Sequence, residues 1–179
     1  MKFTLWIVIG RMQPVHIWHQ RLIDSALREQ WICLVLLWGN DEIDAHNPYT
    51  FEQRDEMLQR LYPDSNLMID YIRDTPTDKQ WVENMSTQIL KLWIFDAITF
   101  YVGDREQDSA VSALQKHQEI LDVPEIHFTE INRKKIKISH DNSDIAVSAT
   151  AVRAALWDRD YSLVQKILPE EVYEYLLKK

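Results

Sequence analysis

The stretch that decides the fold is an apolar run followed at once by a turn: Phe3–Ile9 reads FTLWIVI, and residues 10–19 continue as GRMQPVHIWH. The continuous apolar run is typical of a strand buried on both faces of a parallel sheet. Gly10 lets the chain turn and approach a ligand closely because it has no Cβ, and Pro14 stiffens the loop by fixing its φ. A helix is expected to begin near His16, where the unpaired N–H groups and the dipole of its first turn favour an anion. This order of residues therefore predicts a phosphate site after the first strand.

Two histidines open this predicted helix. His16 and His19 lie on one helical face at i and i+3, so both imidazoles can point at one ligand. The same residue types could bind a metal ion, but no third His or Cys lies nearby in the sequence, and Asp24 is a turn too far along. We interpret the pair as ligands of a nucleoside triphosphate. Metal ligation and surface positions without a role are the alternatives.

Strand-like and helix-like segments alternate along almost the whole chain. This alternation predicts a doubly wound, Rossmann-like α/β fold, in which a parallel five-stranded sheet carries helices on both faces and the C-terminus is helical. A single domain is expected over residues 1–179, with the helices from about 148 packed on it. The predicted strands are Phe3–Ile9, Trp31–Trp38, Leu67–Ile72, Ala97–Val102 and Glu125–Glu130. The predicted helices are His16–Gln30, a capping-box helix from Thr50 to Pro63, Thr77–Ile94, residues 108–121 and those that follow the polar stretch Asn132–Ile145.

Composition and charge exclude several classes of protein. The formal net charge of −8 disfavours a general nucleic-acid-binding protein. The longest apolar stretch, Trp31–Trp38, is far too short to cross a membrane, and the N-terminus does not resemble a signal peptide. Cys33 is the single cysteine and is expected to be a small buried apolar residue. We therefore expect a cytoplasmic protein without nucleic-acid or membrane partners. The basic run 133–137 is interpreted as a solvated loop or strand edge, with steering of a phosphate ligand as the alternative.

Four stretches together resemble a known family. Residues 10–19 and Val147–Arg153 (VSATAVR) are similar to the His-x-Gly-His and Ser-x-Thr-x-x-Arg motifs of the nucleotidyltransferase α/β-phosphodiesterase superfamily. The GRMQP lead-in narrows the resemblance to the archaeal type of nicotinamide-mononucleotide (NMN) adenylyltransferase. Residues 46–50 (HNPYT) with Arg54, and Gly103-Asp104 after the fourth strand, resemble further segments of that family. The resemblance extends over about residues 3–176.

The resemblance implies that the adenylyl group of ATP is transferred to NMN, which gives NAD and pyrophosphate. Mg²⁺ is expected to arrive with ATP, bound mainly by phosphates and water, so no metal ligands are expected on the protein. The catalytic residues implied are His16, His19 and Arg153. The ATP- and phosphate-binding residues implied are Gly10, Arg11, Gln13, Ser148, Thr150, Gly103 and Asp104, and the mononucleotide-binding residues are His46, Asn47, Asp74 and Trp81.

The resemblance also assigns individual roles. Ser148 and Thr150 are expected to cap the helix 148–157 while offering hydroxyls to the β- and γ-phosphates, although a plain helix cap is the alternative. Trp81 is expected either to stack on the cationic pyridine ring or to belong to the helix core. Members of the family commonly form homo-oligomers, which leaves a homo-oligomer open here.

Three positions depart from the family's motifs. Trp18 stands in place of the Gly of His-x-Gly-His, and Trp38 stands near the same pocket where the family usually has Gly. His46 replaces an arginine, so its charge is partial near neutral pH. These departures leave two alternatives open. One is an adenylyl- or cytidylyltransferase with another phosphorylated acceptor, and the other is a non-catalytic nucleotide-binding relative.

Overall fold

The computed structural model describes residues 3–29, 32–40, 42–92, 95–103, 109–132, 136–141 and 143–178. The strands are β1 Thr4–Gly10, β2 Cys33–Gly39, β3 Leu67–Arg73, β4 Ala97–Val102, β5 Glu125–Glu130, β6 Lys137–His140 and β7 Ser143–Ala146. The helices are α1 Ile17–Glu29, α2 Phe51–Leu61, α3 Asp78–Leu90, α4 Ser109–Lys116, α5 Ala149–Trp157, α6 Tyr161–Ile167 and α7 Glu170–Leu177, and a 3₁₀ turn spans Gln118–Leu121.

The first five strands form one parallel sheet. Its order is β3-β2-β1-β4-β5, and every neighbouring pair is parallel. The strand order reverses between β1 and β4, and open α/β sheets bind ligands beyond the carboxyl ends of the strands at such a point. Gly10 ends β1 and Gly103 directly follows β4. The sheet confirms the predicted Rossmann-like fold.

The chain divides into two compact units. The sheet unit consists of Met1–Gly10, Leu22–Asn40 and Asn66–Ile131, and the helical unit consists of Arg11–Arg21, Asp41–Ser65 and Asn132–Lys179. Each unit is thus assembled from three separate stretches of chain. The single domain over residues 1–179 stays a prediction.

The core of the sheet unit explains why its strands are so apolar. Cys33–Leu37 of β2 are buried without interruption, as expected for a strand covered on both faces. Val82 and Met85 of α3 belong to the same apolar cluster as Ile7 of β1 and Phe100 of β4. The helix predicted over Thr77–Ile94 is shorter in the structure. It ends at Leu90 because the next turn tightens, with the Leu92 N–H donating to the Ile89 carbonyl at 3.0 Å.

The helix α2 of the helical unit has side-chain contacts at both of its ends. Its predicted capping box is present, because Thr50 Oγ1 accepts the Gln53 N–H at 3.2 Å and Gln53 Oε1 accepts the Thr50 N–H at 2.9 Å. At the other end of α2, the Arg60 guanidinium lies 5.0 Å from the ring centre of Tyr175 on α7. None of the helices in the described ranges is both long and apolar enough to cross a membrane.

Most of a hairpin lies in the polar stretch Asn132–Ile145, for which the sequence predicts no element. β6 and β7 pair in antiparallel register, and His140 at the end of β6 is buried. The His140 Nε2 atom lies 2.8 Å from Asp160 Oδ2 at the N-cap of α6. Each strand has four residues with mainly exposed side chains, so the apolar alternation that identifies a strand is almost absent.

Candidate functional site

The loop that follows β1 is held by a side chain within it. Gln13 is buried, and its Nε2 donates to the Tyr49 carbonyl at 2.9 Å while its Oε1 accepts the Tyr49 N–H at 3.0 Å. The preceding residue, Met12, has a φ of 49°, which is uncommon for a residue other than glycine. The Gln13 amide, predicted to bind phosphate, contacts the backbone of Tyr49 just before the N-cap of α2.

Two arginines donate to carbonyls on either side of Met12. Arg54 Nη1 donates to the Arg11 carbonyl at 2.7 Å, and Arg153 Nη1 donates to the Gln13 carbonyl at 2.8 Å. The Arg54 side chain is 1% exposed, and its Nε donates to the Thr50 carbonyl at 3.2 Å. Arginine suits such positions because its planar fork presents several donors in a fixed geometry. Two guanidinium groups therefore fix the loop between Arg11 and Gln13.

The two predicted histidines do come together. His16 directly precedes α1 and is buried, while His19 lies in its first turn and is half-buried. Their ring centres are 3.9 Å apart, and the His16 N–H donates to His19 Nδ1 at 3.3 Å. Since Nδ1 accepts a hydrogen bond, the neutral tautomer of His19 carries its proton on Nε2. His19 thus presents Nε2 as a hydrogen-bond donor.

Ser148 and Thr150 have different roles at the start of α5. Ser148 is the N-cap, with φ −156° and ψ 156°, and its Oγ accepts the Ala151 N–H at 3.0 Å. Thr150 lies inside the helix, where its Oγ1 accepts from Arg153 Nη2 at 3.3 Å. The expectation that both residues cap this helix is therefore wrong for Thr150, because only the residue with extended backbone directs its side chain at the open N–H groups.

The segment before α2 is a turn around Asp44. The Asp44 carboxylate accepts the backbone N–H groups of Asn47 at 2.7 Å and of His46 at 2.6 Å, and these bonds hold the pKa of Asp44 below its usual value. The Asn47 amide also donates to this carboxylate, and its Oδ1 lies 3.5 Å from Arg11 Nη1. His46 itself is exposed. Asn47 thus links the turn to Arg11.

Tyr49 follows this turn and directly precedes the N-cap of α2. Burial raises the pKa of the Tyr49 phenol, and the positive charge of Arg153 opposes that rise. Arg153 therefore acts on Tyr49 as well as on the Gln13 carbonyl. The helical unit brings Arg11, Gln13, His16, His19, Asn47, Ser148, Thr150 and Arg153 into these contacts.

The sheet unit has a pocket of its own, called here the aromatic pocket. It has a cavity volume of about 90 Å³ and is lined by Trp38, Asp74, Thr75, Thr77, Asp78, Trp81, Ser109, Ala110 and Ala113. The Asp74 N–H donates to the Gly39 carbonyl at 2.9 Å, and Gly39 has a φ of 150°, which favours glycine. Asp74 and Trp81, both predicted to bind the mononucleotide, thus share one pocket.

Trp81 is both core residue and pocket wall. It is 5% exposed, and its ring meets that of Trp38 edge-on, with centres 5.5 Å apart and an angle of 64°. Among the described residues, none accepts a hydrogen bond from Trp81 Nε1. The two alternatives for Trp81, core and ligand wall, are compatible in this position. Trp18, by contrast, is buried in the helical unit.

Sequence reasoning gave no role to Arg54 or Tyr49, although both lie in a segment that it singled out. The available signal for Arg54 was its position four residues after a predicted N-cap. A charged side chain at such a position is expected to be exposed, so the signal did not predict its burial. Asp104 lies outside the described residues. Within the described part of the chain, no group of three or more His, Cys, Asp or Glu residues is arranged to hold a metal ion.

The chain is similar to several known proteins. It is 30% identical over 88 residues to the nicotinamide/nicotinic acid mononucleotide adenylyltransferase of Acinetobacter baylyi, an alignment that covers 47% of each chain. The bifunctional NMN adenylyltransferase/ADP-ribose pyrophosphatase of Francisella tularensis, solved with AMP and a Mn ion, superposes with a TM-score of 0.67 at 16% identity, covering 98% of this chain and 48% of that one. The chain therefore spans about half the length of these two relatives.

A third relative is similar in length. The nicotinic acid mononucleotide adenylyltransferase of Plasmodium falciparum superposes with a TM-score of 0.61 at 15% identity, covering 98% of this chain and 95% of that one. At such identities the superpositions show the shared fold. Residues 69–176, more than half of the chain, match the family model described as the citrate lyase ligase C-terminal domain. The chain therefore belongs to the citrate lyase ligase C-terminal domain family, and it is similar to the NMN adenylyltransferases that its motifs resemble.

Proposed function

We propose that the protein transfers the adenylyl group of ATP to NMN and thereby forms NAD and pyrophosphate. The observation that carries the proposal is the loop after β1, where the paired rings of His16 and His19 lie in the same unit as two arginines that fix the backbone. The similarity to NMN and nicotinic acid mononucleotide adenylyltransferases supports the same activity.

Under this proposal, residues of the loop after β1 and of the start of α5 contribute to binding the ATP phosphates. His19 donates from Nε2 to the α-phosphate, and Arg11 pairs with phosphate oxygens as a planar fork. Ser148 and Thr150 add hydroxyls at the N-terminus of α5, where the helix dipole favours an anion. The further phosphate-binding residues proposed are His16, Gly10, Gln13, Gly103 and Asp104, and of these Gln13 acts by fixing the loop through Tyr49.

The chemistry requires little acid–base catalysis by the protein. The 5′-phosphate oxygen of NMN attacks the α-phosphorus of ATP in line, and the bond from that phosphorus to the bridging oxygen breaks, which releases pyrophosphate. Because the nucleophile is already an anion, the main tasks are neutralising charge and aligning two phosphates that repel each other. Arg153 neutralises the leaving pyrophosphate by moving donors from the Gln13 carbonyl and Thr150.

A divalent metal ion is proposed to arrive with ATP. The relative from Francisella tularensis was solved with AMP and a Mn ion. Mg²⁺ commonly keeps several waters and binds substrate phosphates, so a cage of protein carboxylates is unnecessary. When bound, the ion lowers the negative charge that the attacking phosphate must approach.

The aromatic pocket is proposed to hold the acceptor's pyridine ring. Trp81 offers an indole to a cationic aromatic ring, and Asp74 and Asp78 place two carboxylates around the pocket. These carboxylates favour the neutral amide of nicotinamide and repel the carboxylate of nicotinate. These two acidic residues are the feature of the described lining that supports NMN over nicotinic acid mononucleotide. His46 and Asn47 are proposed to contact the mononucleotide as well.

The test is to incubate the protein with ATP, Mg²⁺ and NMN, to measure pyrophosphate release and to identify NAD by mass. His19→Ala should lower turnover about 100-fold or more, because it removes a group that stabilises charge in the transition state. The variant should remain folded. His127→Ala, which removes an exposed histidine of β5, is the matched control and should leave turnover unchanged.

Three results would change this assignment. Unchanged turnover in His19→Ala would refute the role of the histidine. Product with nicotinic acid mononucleotide or another phosphorylated acceptor, and none with NMN, would replace the acceptor. If no acceptor yields product while ATP still raises the melting temperature, the protein is a nucleotide-binding relative without this activity.

A further inference from the structure

The loop Arg11–Gln13 is constrained from three directions within the helical unit. Arg54 holds the carbonyl before Met12, Arg153 holds the carbonyl after it, and the Gln13 side chain is bonded twice to Tyr49. Met12 between these contacts has its φ at 49°. A non-glycine residue keeps such a backbone conformation only where its surroundings determine it strongly. The hydrogen bonds on both sides of Met12 hold it in this backbone conformation.

Of the three constraints, those from Gln13 and Arg54 do not involve the ligands proposed above, and the one from Arg54 comes from a buried charged side chain. Arg153 has to move donors toward pyrophosphate during the reaction, so its bond to Gln13 cannot hold the loop throughout. Arg54 is 1% exposed, and its Nε is anchored on the Thr50 carbonyl while Nη1 reaches Arg11. Thr50 is in turn fixed by the capping box of α2. The hydrogen-bonded start of α2 therefore fixes the position of the Arg54 guanidinium beside the loop.

The burial of the Arg54 side chain indicates that its hydrogen-bond donors have a structural role. Removing a guanidinium from water costs free energy, and an apolar side chain of similar length would fill the same space without that cost. Two of the Arg54 nitrogens donate to backbone carbonyls, one at the start of α2 and one in the loop, and so join these two segments. A side chain retained for packing alone would not require either bond.

We propose that Arg54 is a positioning residue for adenylyl transfer: it holds the loop Arg11–Gln13 in the conformation that binds the triphosphate, without touching the substrate. The kinetic part of this inference rests on the proposed function. The conformational part does not, because the loop can be observed without substrate.

The experiment compares Arg54→Met, Arg54→Lys and the control Arg60→Met, which removes an exposed arginine of the same helix. Amide hydrogen exchange of a peptide covering residues 10–16 reports the loop, and kcat and the KM for ATP report its effect. In Arg54→Met we expect loop exchange to rise at least tenfold and kcat to fall at least tenfold, while peptides of β1 and β2 keep their protection. Arg60→Met should match the wild type in both measurements.

The Arg54→Lys variant distinguishes a positioning role of Arg54 from a role in packing alone. Lys at position 54 keeps the charge and one donor for the Arg11 carbonyl, but a single nitrogen cannot also replace the Nε bond to Thr50. Positioning therefore predicts intermediate loop exchange and intermediate kcat for Arg54→Lys. If packing were the only role, the apolar Arg54→Met would be tolerated better than Arg54→Lys, and this order would overturn the inference.

The remaining outcomes are also decisive. Wild-type loop exchange in Arg54→Met overturns the inference whether or not the protein proves to be an adenylyltransferase. If the wild type forms no product but Arg54→Met still loosens the loop, the proposed function fails and the role of Arg54 in holding the loop stands. Should Arg54→Met not fold, Arg54→Gln is too short to reach the Arg11 carbonyl, and wild-type loop exchange in that variant overturns the inference.

Discussion

At the scale of single residues, Cys33 offers a clear test of the core. It lies at the start of β2, and burial raises the pKa of its thiol to about 12. Because an unfolded chain has a cysteine pKa near about 8.5, the unfolded state ionises first as the pH rises. The stabilisation from the neutral thiol is therefore complete below that unfolded value and is lost as the pH rises towards the folded one.

Alkylation by iodoacetamide at pH 8 should measure this burial. Since the thiolate is the reactive species, we expect the native protein to react at least about 100-fold more slowly than the protein in denaturant. Cys33 is the single cysteine, so all labelling reports this position. Equal rates in the two conditions would show that the start of β2 opens readily.

Gln13 and Arg54 show where sequence reasoning about the site stops. The residue types and their order locate the loop correctly, because a glycine, a proline and two histidines in that order are typical of a ligand-binding turn between a strand and a helix. Their partners depend on residues far along the chain, since Gln13 bonds to Tyr49 and Arg153 bonds to Gln13. Hydrogen bonds between distant segments leave no periodic pattern in a sequence.

At the scale of elements, the start of α5 combines a helix cap with a proposed phosphate site, and one pair of variants separates the two. Ser148→Ala removes the acceptor for the Ala151 N–H and should lower the stability by about 1 kcal/mol. Ser148→Asp keeps a good N-cap and adds a negative charge, so it should retain the stability and abolish the ATP-dependent rise in melting temperature. Thermal unfolding with and without ATP measures both effects. Full ATP stabilisation of Ser148→Asp would exclude phosphate from this end of the helix.

Secondary-structure elements differ in how well they can be predicted from the sequence. The parallel strands are continuous apolar runs, and β4 and β5 begin and end where the sequence predicts. α2 follows from its capping box. The helix predicted over residues 108–121 is instead α4 followed by a 3₁₀ turn, and the hairpin β6–β7 is missed. Short elements with exposed side chains carry too few apolar positions for a pattern to emerge.

At the scale of the whole molecule, stability is expected to be unevenly distributed. β1 lies between β2 and β4, and Val35–Leu37 of β2 are fully buried. The hairpin β6–β7 has two short strands with mainly exposed side chains. Amides in the central strands should therefore exchange with solvent most slowly, and those of the hairpin among the fastest of any strand. Native-state hydrogen exchange resolved by peptide tests this order, and hairpin amides as protected as those of β1 would contradict it.

The path of the chain through the two units limits how the units can be exchanged by genetic recombination. Each unit draws on three stretches separated along the sequence. Any contiguous gene fragment that encodes the whole of one unit also encodes part of the other. Neither unit can therefore be exchanged between genes as a cassette, and recombination would have to carry the pair together.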